Sequence, residues 1–88
     1  MWKVTTLPSV IKSIERLPFN DQERIIECVN DLKFLPSLSS GTDIKKLAGY
    51  KNTYRVRVGV YRLIFEIHKD IITIKVIKLS HRKDAYKK

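Results

Sequence analysis

The chain has 88 residues, the length of a small domain with a single hydrophobic core, so we expect residues 1–88 to form one domain. Its 18 Lys and Arg residues against nine Asp and Glu residues give a net charge of +9. A single cysteine excludes an intrachain disulfide and, with only two histidines, argues against structural zinc, so no cofactor is expected. Charges interrupt the longest apolar runs, which excludes a signal peptide or membrane span and favours the cytoplasm.

The positive charge is concentrated in one half of the chain. Residues 1–44 carry five Lys or Arg residues and six acids, whereas residues 45–88 carry thirteen Lys or Arg residues and three acids. This asymmetry is typical of a protein that meets nucleic acid, an acidic membrane surface or an acidic protein. A solvated surface that only keeps the chain soluble is the alternative interpretation.

The first half predicts a short strand followed by two helices. Pro8 suits the first position of a helix, and apolar residues recur after it at helical spacing. Asn20, with Glu23 three residues later, predicts a capping box at the start of the next helix. The short connection makes the two helices an antiparallel hairpin. The predicted strand and helices cover residues 2–6, 8–17 and 21–35.

The second half predicts three strands, at about residues 52–58, 60–67 and 71–78. Residues 36–42 form a loop by composition, and residues 44–47 predict a brief helical turn or bridge. Gly59 lies at the first reversal and is expected to have a positive φ, while the third strand is expected to be central. The order β-α-α-β-β-β predicts an α+β fold, with a two-helix hairpin on one face of a small, mostly antiparallel sheet.

Four arginines are expected on the open side of this sheet. Successive side chains of a strand point to opposite faces, so Arg55 and Arg57 share one face, opposite to Val56. Arg62 on the next strand and Arg82 at the end of the third strand are expected on the same side. Neighbouring strands lie about 5 Å apart, and guanidinium groups pair bidentately with phosphate oxygens. The four arginines therefore predict a phosphate-binding site.

Two further side chains are candidates for roles that arginine does not fill, namely proton transfer and stacking on a nucleobase. Histidine titrates near neutral pH, so His81 is a candidate general acid or base. Tyr86 is a candidate platform on which a nucleobase stacks. Each also has a structural interpretation, as a surface histidine and as a tyrosine at the core edge. Cys28 is expected to be inert packing. The residues alone thus predict a small basic α+β domain that binds RNA or another polyanion, without establishing catalysis.

Three segments of the second half resemble the RelE toxins of bacterial and archaeal toxin–antitoxin systems. They are Lys46–Gly49, Tyr54–Glu66 and Ser80–Tyr86. The shared pattern is Leu-x-Gly, a strand with two basic residues, a glycine turn, a Tyr-Arg pair, and a closing basic segment that ends in tyrosine. The resemblance covers nearly the whole chain in length and element order, and it implies the RelE-like α+β fold.

The resemblance implies an mRNA endoribonuclease, or mRNA interferase, that enters the ribosomal A site and cuts the codon there without a metal. The ribose 2′-hydroxyl attacks its own phosphate and leaves a cyclic phosphate or 3′-phosphate and a free 5′-hydroxyl. Matched by position, Arg55 and Arg57 would bind the substrate. The other implied roles are stabilisation of transition-state charge by Arg62 and Arg82, orientation of the nucleotide by Tyr86, and protonation of the leaving 5′-oxygen by His81.

The best-known member of this family has lysines where this chain has Arg55 and Arg57. Arginine hardly loses a proton, so the general base is unassigned, and Glu66 and Asp43 are the carboxylates considered for it. The resemblance also implies two kinds of partner. One is the ribosome with its mRNA, which positions the substrate. The other is a cognate antitoxin, whose acidic, amphipathic segment covers the basic surface in a hetero-oligomer.

Two other functions stay open at this point. A ParE-like toxin, which poisons DNA gyrase, shares the fold and the Tyr-Arg pattern but usually lacks a closing segment like Ser80–Tyr86. A catalytically silent RNA- or partner-binding module would keep only the basic face. Cuts inside codons during translation, arrested supercoiling, or neither of these would distinguish the three functions.

Overall fold

A computed structural model describes residues 1–35 and 43–81. In chain order its elements are strand β1 (Lys3–Thr6), helices α1 (Pro8–Glu15) and α2 (Phe19–Asp31), and strands β2 (Asp43–Lys46), β3 (Thr53–Val58), β4 (Tyr61–His68) and β5 (Thr73–His81). Short 3-10 turns at Leu32–Phe34 and Lys69–Ile71 follow α2 and β4. The predicted loop at residues 36–42 lies outside the described residues.

The strands form one sheet in the order β1-β5-β4-β3-β2. β1 runs parallel to β5, and the other neighbours are antiparallel, so the predicted α+β class is confirmed. Two details of the prediction are wrong. β4, not β5, is the central strand, and β2 forms where a helical turn or bridge was expected, which adds a strand to the order. Ile44 explains the added strand, because pairing opposite Val56 lets it pack against the core.

The two helix starts differ in how well the sequence predicts them. Pro8 is the first residue of α1, as predicted. The capping box at Asn20 and Glu23 is wrong, because α2 begins at Phe19 and its N-cap is Pro18. Pro18 has a ψ of 148°, which ends the preceding segment in an extended conformation. Asn20 therefore already lies inside the first helical turn, where its side chain is not at the cap position.

The core lies between the helix pair and one face of the sheet. Each strand gives alternate residues to this face, and the residues between them point to the other side. We call the covered side the helix face and the other side the open face. Neither described helix is long and apolar enough to cross a membrane. The buried core residues are Val10, Ile14, Ile25, Leu32, Val56, Leu63, Phe65, Ile74 and Val76.

A two-residue turn, residues 59–60, connects β3 to β4. Gly59 has a φ of +60°, as predicted, a conformation that strains residues with a side chain. Such a tight turn fixes the register of the hairpin. That register brings Arg57 and Arg62 to facing positions.

Candidate phosphate-binding face

A row of four side chains crosses the open face beside the β3–β4 turn. Arg57 lies opposite Asp43 of β2 and opposite Arg62 of β4, and Arg62 lies opposite Ser80 of β5. We call Asp43, Arg57, Arg62 and Ser80 the arginine row. Residues that face each other on antiparallel strands have Cβ atoms about 5 Å apart. The structure therefore brings two of the predicted site residues, Arg57 and Arg62, together.

More cations lie on the same face, further from the turn. Arg55 lies between Lys45 of β2 and Ile64 of β4. The register of β4 and β5 shifts between Ile64 and Phe65, which marks a bulge in β5. Because of this bulge, Lys75 before it and Lys78 after it both lie on the open face. Among the described strand residues, the cations that the registers assign to the open face are Lys3, Lys45, Arg55, Arg57, Arg62, Lys75 and Lys78, and the acids are Asp43 and Glu66.

Asp43 separates the roles of the two arginines on β3. Its Oδ2 lies 3.3 Å from Nη1 of Arg55, without the alignment of a hydrogen bond, and 3.6 Å from Nε of Arg57. The Arg55 side chain is only 10% exposed, whereas that of Arg57 is 49% exposed. A buried guanidinium needs a compensating charge, which Asp43 supplies to Arg55. Arg57 keeps enough accessible surface to meet a ligand as well.

The arginine row is suited to binding an anion. Like charges that face each other across two strands destabilise a sheet, and Asp43 offsets this repulsion from one side. A phosphate placed between Arg57 and Arg62 would be attracted by both guanidinium groups. The planar guanidinium fork matches the geometry of phosphate oxygens, and each such charge-assisted hydrogen bond is stronger than a neutral one.

Neither carboxylate considered as a general base is held in a way that suits that task. Oδ2 of Asp43 lies 3.3 Å from Nη1 of Arg55 and 3.6 Å from Nε of Arg57, so this carboxylate is already engaged with two guanidinium groups. Glu66 lies 2.9 Å from Nε2 of His68, at the end of β4 that is remote from the arginine row. The general base therefore stays unassigned among the described residues.

His81 lies on the other face of the sheet from the arginine row. It pairs with Tyr61, the residue before Arg62, and its ring meets that of Tyr61 edge-on at 5.3 Å. The Tyr61 hydroxyl in turn donates a hydrogen bond of 3.1 Å to Oδ2 of Asp21 at the start of α2. Removal from water, and then the hydrogen bond and charge of Asp21, raise the pKa of Tyr61. Alternation along the strand thus separates His81 from Arg62, although they are close in the register.

Two predicted site residues, Arg82 and Tyr86, lie outside the described residues. Their nearest described neighbours in sequence are Ser80 and His81 at the end of β5. Ser80 lies directly opposite Arg62, so the last described residue on the open face belongs to the arginine row. The assignments of Arg82 and Tyr86 stay predictions.

Sequence reasoning missed one cation at this end of the molecule, Arg24 of α2. A Cβ atom built on Gly59 would lie 3.4 Å from Nη1 of Arg24, so the guanidinium reaches over the β3–β4 turn. It adds positive charge beside the hairpin that carries Arg57 and Arg62. Helical periodicity places Arg24 on the solvent side of α2, and only the docking of α2 on the sheet reveals its proximity to the turn.

Cys28 behaves as the sequence predicts, as a packed thiol. It lies on α2 and packs against the core. Burial, and then the charges of Asp31 and Glu27, raise the pKa of its thiol from 9.0 to about 11. A thiol that is protonated near neutral pH is a poor nucleophile.

Comparison with known proteins gives consistent results over nearly the whole chain. Residues 6–86 match the family described as the ParE toxin of the type II toxin–antitoxin system parDE. The toxin RelE3 of Methanocaldococcus jannaschii is 34% identical over 85 residues, which cover 96% of this chain and 94% of that toxin.

Two solved structures with similar sequences have the same fold. One is the archaeal RelE–RelB complex from Pyrococcus horikoshii OT3, with a TM-score of 0.80, 30% identity, and coverage of 92% of this chain and 94% of that chain. The other is the RelB–RelE antitoxin–toxin complex from Methanococcus jannaschii, with a TM-score of 0.77, 32% identity, and coverage of 94% and 95%.

Proposed function

The chain belongs to the RelE and ParE toxins of type II toxin–antitoxin systems, and we propose that it is a ribosome-dependent mRNA endoribonuclease that acts in the cytoplasm. The observation that carries this proposal is the pair of facing arginines, Arg57 and Arg62, on a basic face that no described helix covers. In the proposed role, residues 1–88 act as a single toxin domain that presents this face to a codon in the ribosomal A site.

The proposed reaction is attack of a ribose 2′-oxygen on the adjacent phosphorus, which breaks the bond from phosphorus to the 5′-oxygen. The products are a 2′,3′-cyclic phosphate, or the 3′-phosphate formed from it, and a free 5′-hydroxyl. Arg55 and Arg57 bind the substrate in different ways. The exposed Arg57 meets a substrate phosphate directly, whereas the buried Arg55 contributes through Asp43, the carboxylate that it shares with Arg57. Arg62 and Arg82 stabilise the additional negative charge of the transition state, an effect that often dominates catalysis.

The remaining roles concern the nucleotide and the protons. Tyr86 stacks against the nucleotide and orients it for attack. His81 lies on the helix face, where its ring packs on Tyr61, whereas the arginine row lies on the open face. Protonation of the leaving 5′-oxygen by His81 therefore requires that oxygen to pass around the end of β5 to the helix face. Arg57 and Arg62 are poor bases, so we expect the ribosome to contribute to catalysis by positioning the 2′-hydroxyl.

A cognate antitoxin is the second proposed partner. The solved relatives from Pyrococcus horikoshii and Methanococcus jannaschii are complexes of RelE with RelB. An acidic antitoxin segment would complement the basic open face and compete with RNA for it.

Primer extension on mRNA from cells that express the toxin tests the proposed activity. We expect cuts inside codons of translated mRNA and none in the same mRNA when its start codon is removed. Arg62→Ala should abolish the cuts, and the matched control Lys12→Ala, a cation on the exposed surface of α1, should retain them. Cuts that persist without translation would contradict the requirement for the ribosome.

A gyrase poison is the second candidate function, because the matching family model is that of ParE toxins. A supercoiling assay with purified gyrase distinguishes the two functions. Arrested supercoiling together with intact mRNA would replace the proposed activity with gyrase poisoning. If mRNA and supercoiling were both unaffected, the chain would be a silent module that only binds RNA or a partner.

A further inference from the structure

Arg24 is the only cation of α2, and it lies beside the turn between β3 and β4. A Cβ atom built on Gly59 would lie 3.4 Å from Nη1 of Arg24. The guanidinium therefore reaches from the helix side of the sheet to the tip of the hairpin. The single positive charge of an otherwise acidic helix thus lies close to the arginine row. The acids of α2 are Asp21, Glu23, Glu27 and Asp31.

The guanidinium of Arg24 is exposed, and no neighbour neutralises it. Among residues 1–35 and 43–81 it takes part in no ion pair and no side-chain hydrogen bond. Helical spacing places Asp21 one turn before Arg24, but Oδ2 of Asp21 accepts a hydrogen bond of 3.1 Å from the Tyr61 hydroxyl. Arg57, by contrast, has Asp43 at 3.6 Å. The positive charge of Arg24 is therefore available to a ligand.

The tip of the hairpin is close enough to the arginine row for one RNA strand to contact both. Gly59 follows Arg57 by two residues, so their Cα atoms are at most about 7 Å apart. Arg62 lies opposite Arg57, at the same level of the hairpin. Neighbouring phosphates of an extended RNA strand are separated by a similar distance. A strand with one phosphate at the arginine row can therefore place the next one at the turn, beside Arg24.

The surroundings of Arg24 favour a path across the turn over a path along the helix. Gly59 and Val60 are exposed and uncharged, and Gly59 has no side chain to obstruct a backbone that crosses it. The exposed surface of α2 next to Arg24 carries Glu23 and Glu27, which repel phosphate. The surface that attracts RNA therefore extends from the arginine row over the turn and ends at Arg24.

We propose that Arg24 binds the RNA phosphate next to the one at the arginine row, so that the RNA backbone crosses the tip of the β3–β4 hairpin. This role rests on the proposed function and adds a binding residue to the same site. Arg24 does not touch the reacting atoms in this role. It stabilises the bound substrate and the transition state equally, so its loss should raise KM and leave kcat unchanged.

Filter binding of the full chain to a short single-stranded RNA tests the contact without the ribosome. Arg24→Ala should raise the Kd about threefold to fivefold, as expected for one exposed charge pair. It should also lower the slope of log K against log salt by about 0.7, the share of one phosphate on a single strand. Arg24→Lys keeps the charge and should restore most of both values. Lys12→Ala, on the exposed surface of α1, is the matched control and should change the Kd less than about twofold.

Cleavage of mRNA on ribosomes with a vacant A site separates binding from catalysis. Arg24→Ala should raise KM about threefold to fivefold and change kcat less than about twofold, whereas Arg62→Ala should lower kcat. The urea midpoint of Arg24→Ala should equal that of the unchanged protein, because the exposed guanidinium has no hydrogen bond or ion pair within the described residues. A change in KM without a change in the midpoint assigns the effect to RNA binding and not to folding.

Four outcomes would overturn the inference. These are an unchanged Kd and salt slope in Arg24→Ala, equal weakening by Lys12→Ala, a fall in kcat at an unchanged KM, and weaker binding to ribosomes without mRNA while the short RNA binds as before. The last outcome would assign the phosphate to ribosomal RNA. If Arg24→Ala weakens RNA binding as expected but mRNA stays intact in cells, the proposed cleavage fails and the contact stands. If mRNA is cut and Arg24→Ala changes neither KM nor the salt slope, the contact fails and the proposed function stands.

Discussion

The two faces of the sheet are formed by the same strands but have different roles. The helix face packs the core, and the open face presents charged side chains to solvent. On β3, Val56 is fully buried against the helices, while the next side chain, Arg57, is 49% exposed on the open face. The helix face is held together by apolar burial, which supplies most of the stability of a small domain. The open face carries the charges that would meet a phosphate, and it adds little to stability apart from the buried Arg55 and its partner Asp43. Alternation along a strand thus lets folding and binding change independently.

Charge sharpens the contrast between the two sides. α2, which covers the helix face, carries Asp21, Glu23, Glu27 and Asp31, whereas the open face carries mostly lysine and arginine. A molecule polarised in this way orients itself as it approaches a polyanion, which raises the rate of productive encounters. Asp43 and Glu66 are the acids among the described strand residues of the open face. Of these two, Asp43 stabilises Arg55 and competes with any phosphate.

The largest expected effect comes from the helix face. Phe65→Ala removes a fully buried ring that stacks on Tyr54, and it should lower the free energy of unfolding by about 3–5 kcal/mol. Growth inhibition should disappear because the protein unfolds. Urea denaturation followed by circular dichroism measures the loss. Tyr50→Ala, at a residue that is 62% exposed, is the control and should shift stability by less than about 0.5 kcal/mol. Equal midpoints for the two variants would contradict this picture of the core.

Arg62→Ala should separate function from folding. We expect the rate of mRNA cleavage to fall about a hundredfold or more, because Arg62 belongs to the arginine row and would stabilise transition-state charge. The urea midpoint should stay close to that of the unchanged protein, since Arg62 lies outside the buried core. Cleavage that survives in a folded Arg62→Ala protein would remove the arginine row from the proposed mechanism.

Asp43→Asn should lower the stability of the protein and raise its affinity for RNA. The free energy of unfolding should fall by about 1–3 kcal/mol, because the buried guanidinium of Arg55 loses its nearby negative charge. Affinity for single-stranded RNA, measured by filter binding over a range of salt, should rise because Arg55 and Arg57 are no longer neutralised. Asp70→Asn, in the exposed turn after β4, is the control for both measurements. A parallel loss of stability and RNA affinity would show that Asp43 organises the face instead of competing for it.

The smallest effect concerns Cys28 on the helix side. Its pKa of about 11 in the folded protein exceeds the ordinary 9.0, so folding favours the protonated thiol. This contribution to stability is complete below pH 9 and is lost as the pH rises towards 11. At pH 8 a disulfide reagent should therefore label the folded protein about tenfold or more slower than the urea-unfolded protein. Equal rates would indicate that the thiol is accessible and ionised.

Local rules predicted several parts of the molecule because short segments determine them. Pro8 begins a helix since its ring fixes φ and it lacks an amide hydrogen. Gly59 forms the turn because only glycine adopts its φ freely. The shared face of Arg55 and Arg57 follows from strand periodicity alone.

The failed and missing predictions depend on neighbours that are distant in the chain. β2 forms because its backbone pairs with the edge of β3 and because Ile44, opposite Val56, packs against the core. The ion pair of Asp43 with Arg55 requires that pairing and is invisible in the sequence of β3. The contact between Asp21 and Tyr61 joins residues that are forty positions apart.

By itself the sequence determined the fold class, the separation of charge between the two halves of the chain, and the family resemblance, because periodicity and composition are properties of short segments. Only the tertiary structure decided which cations act together. Strand pairing placed Arg57 beside Arg62, assigned Asp43 to Arg55, and moved His81 to the helix face. Register is set by long-range pairing and by a bulge, and a shift of one residue in a strand reverses the face of every side chain.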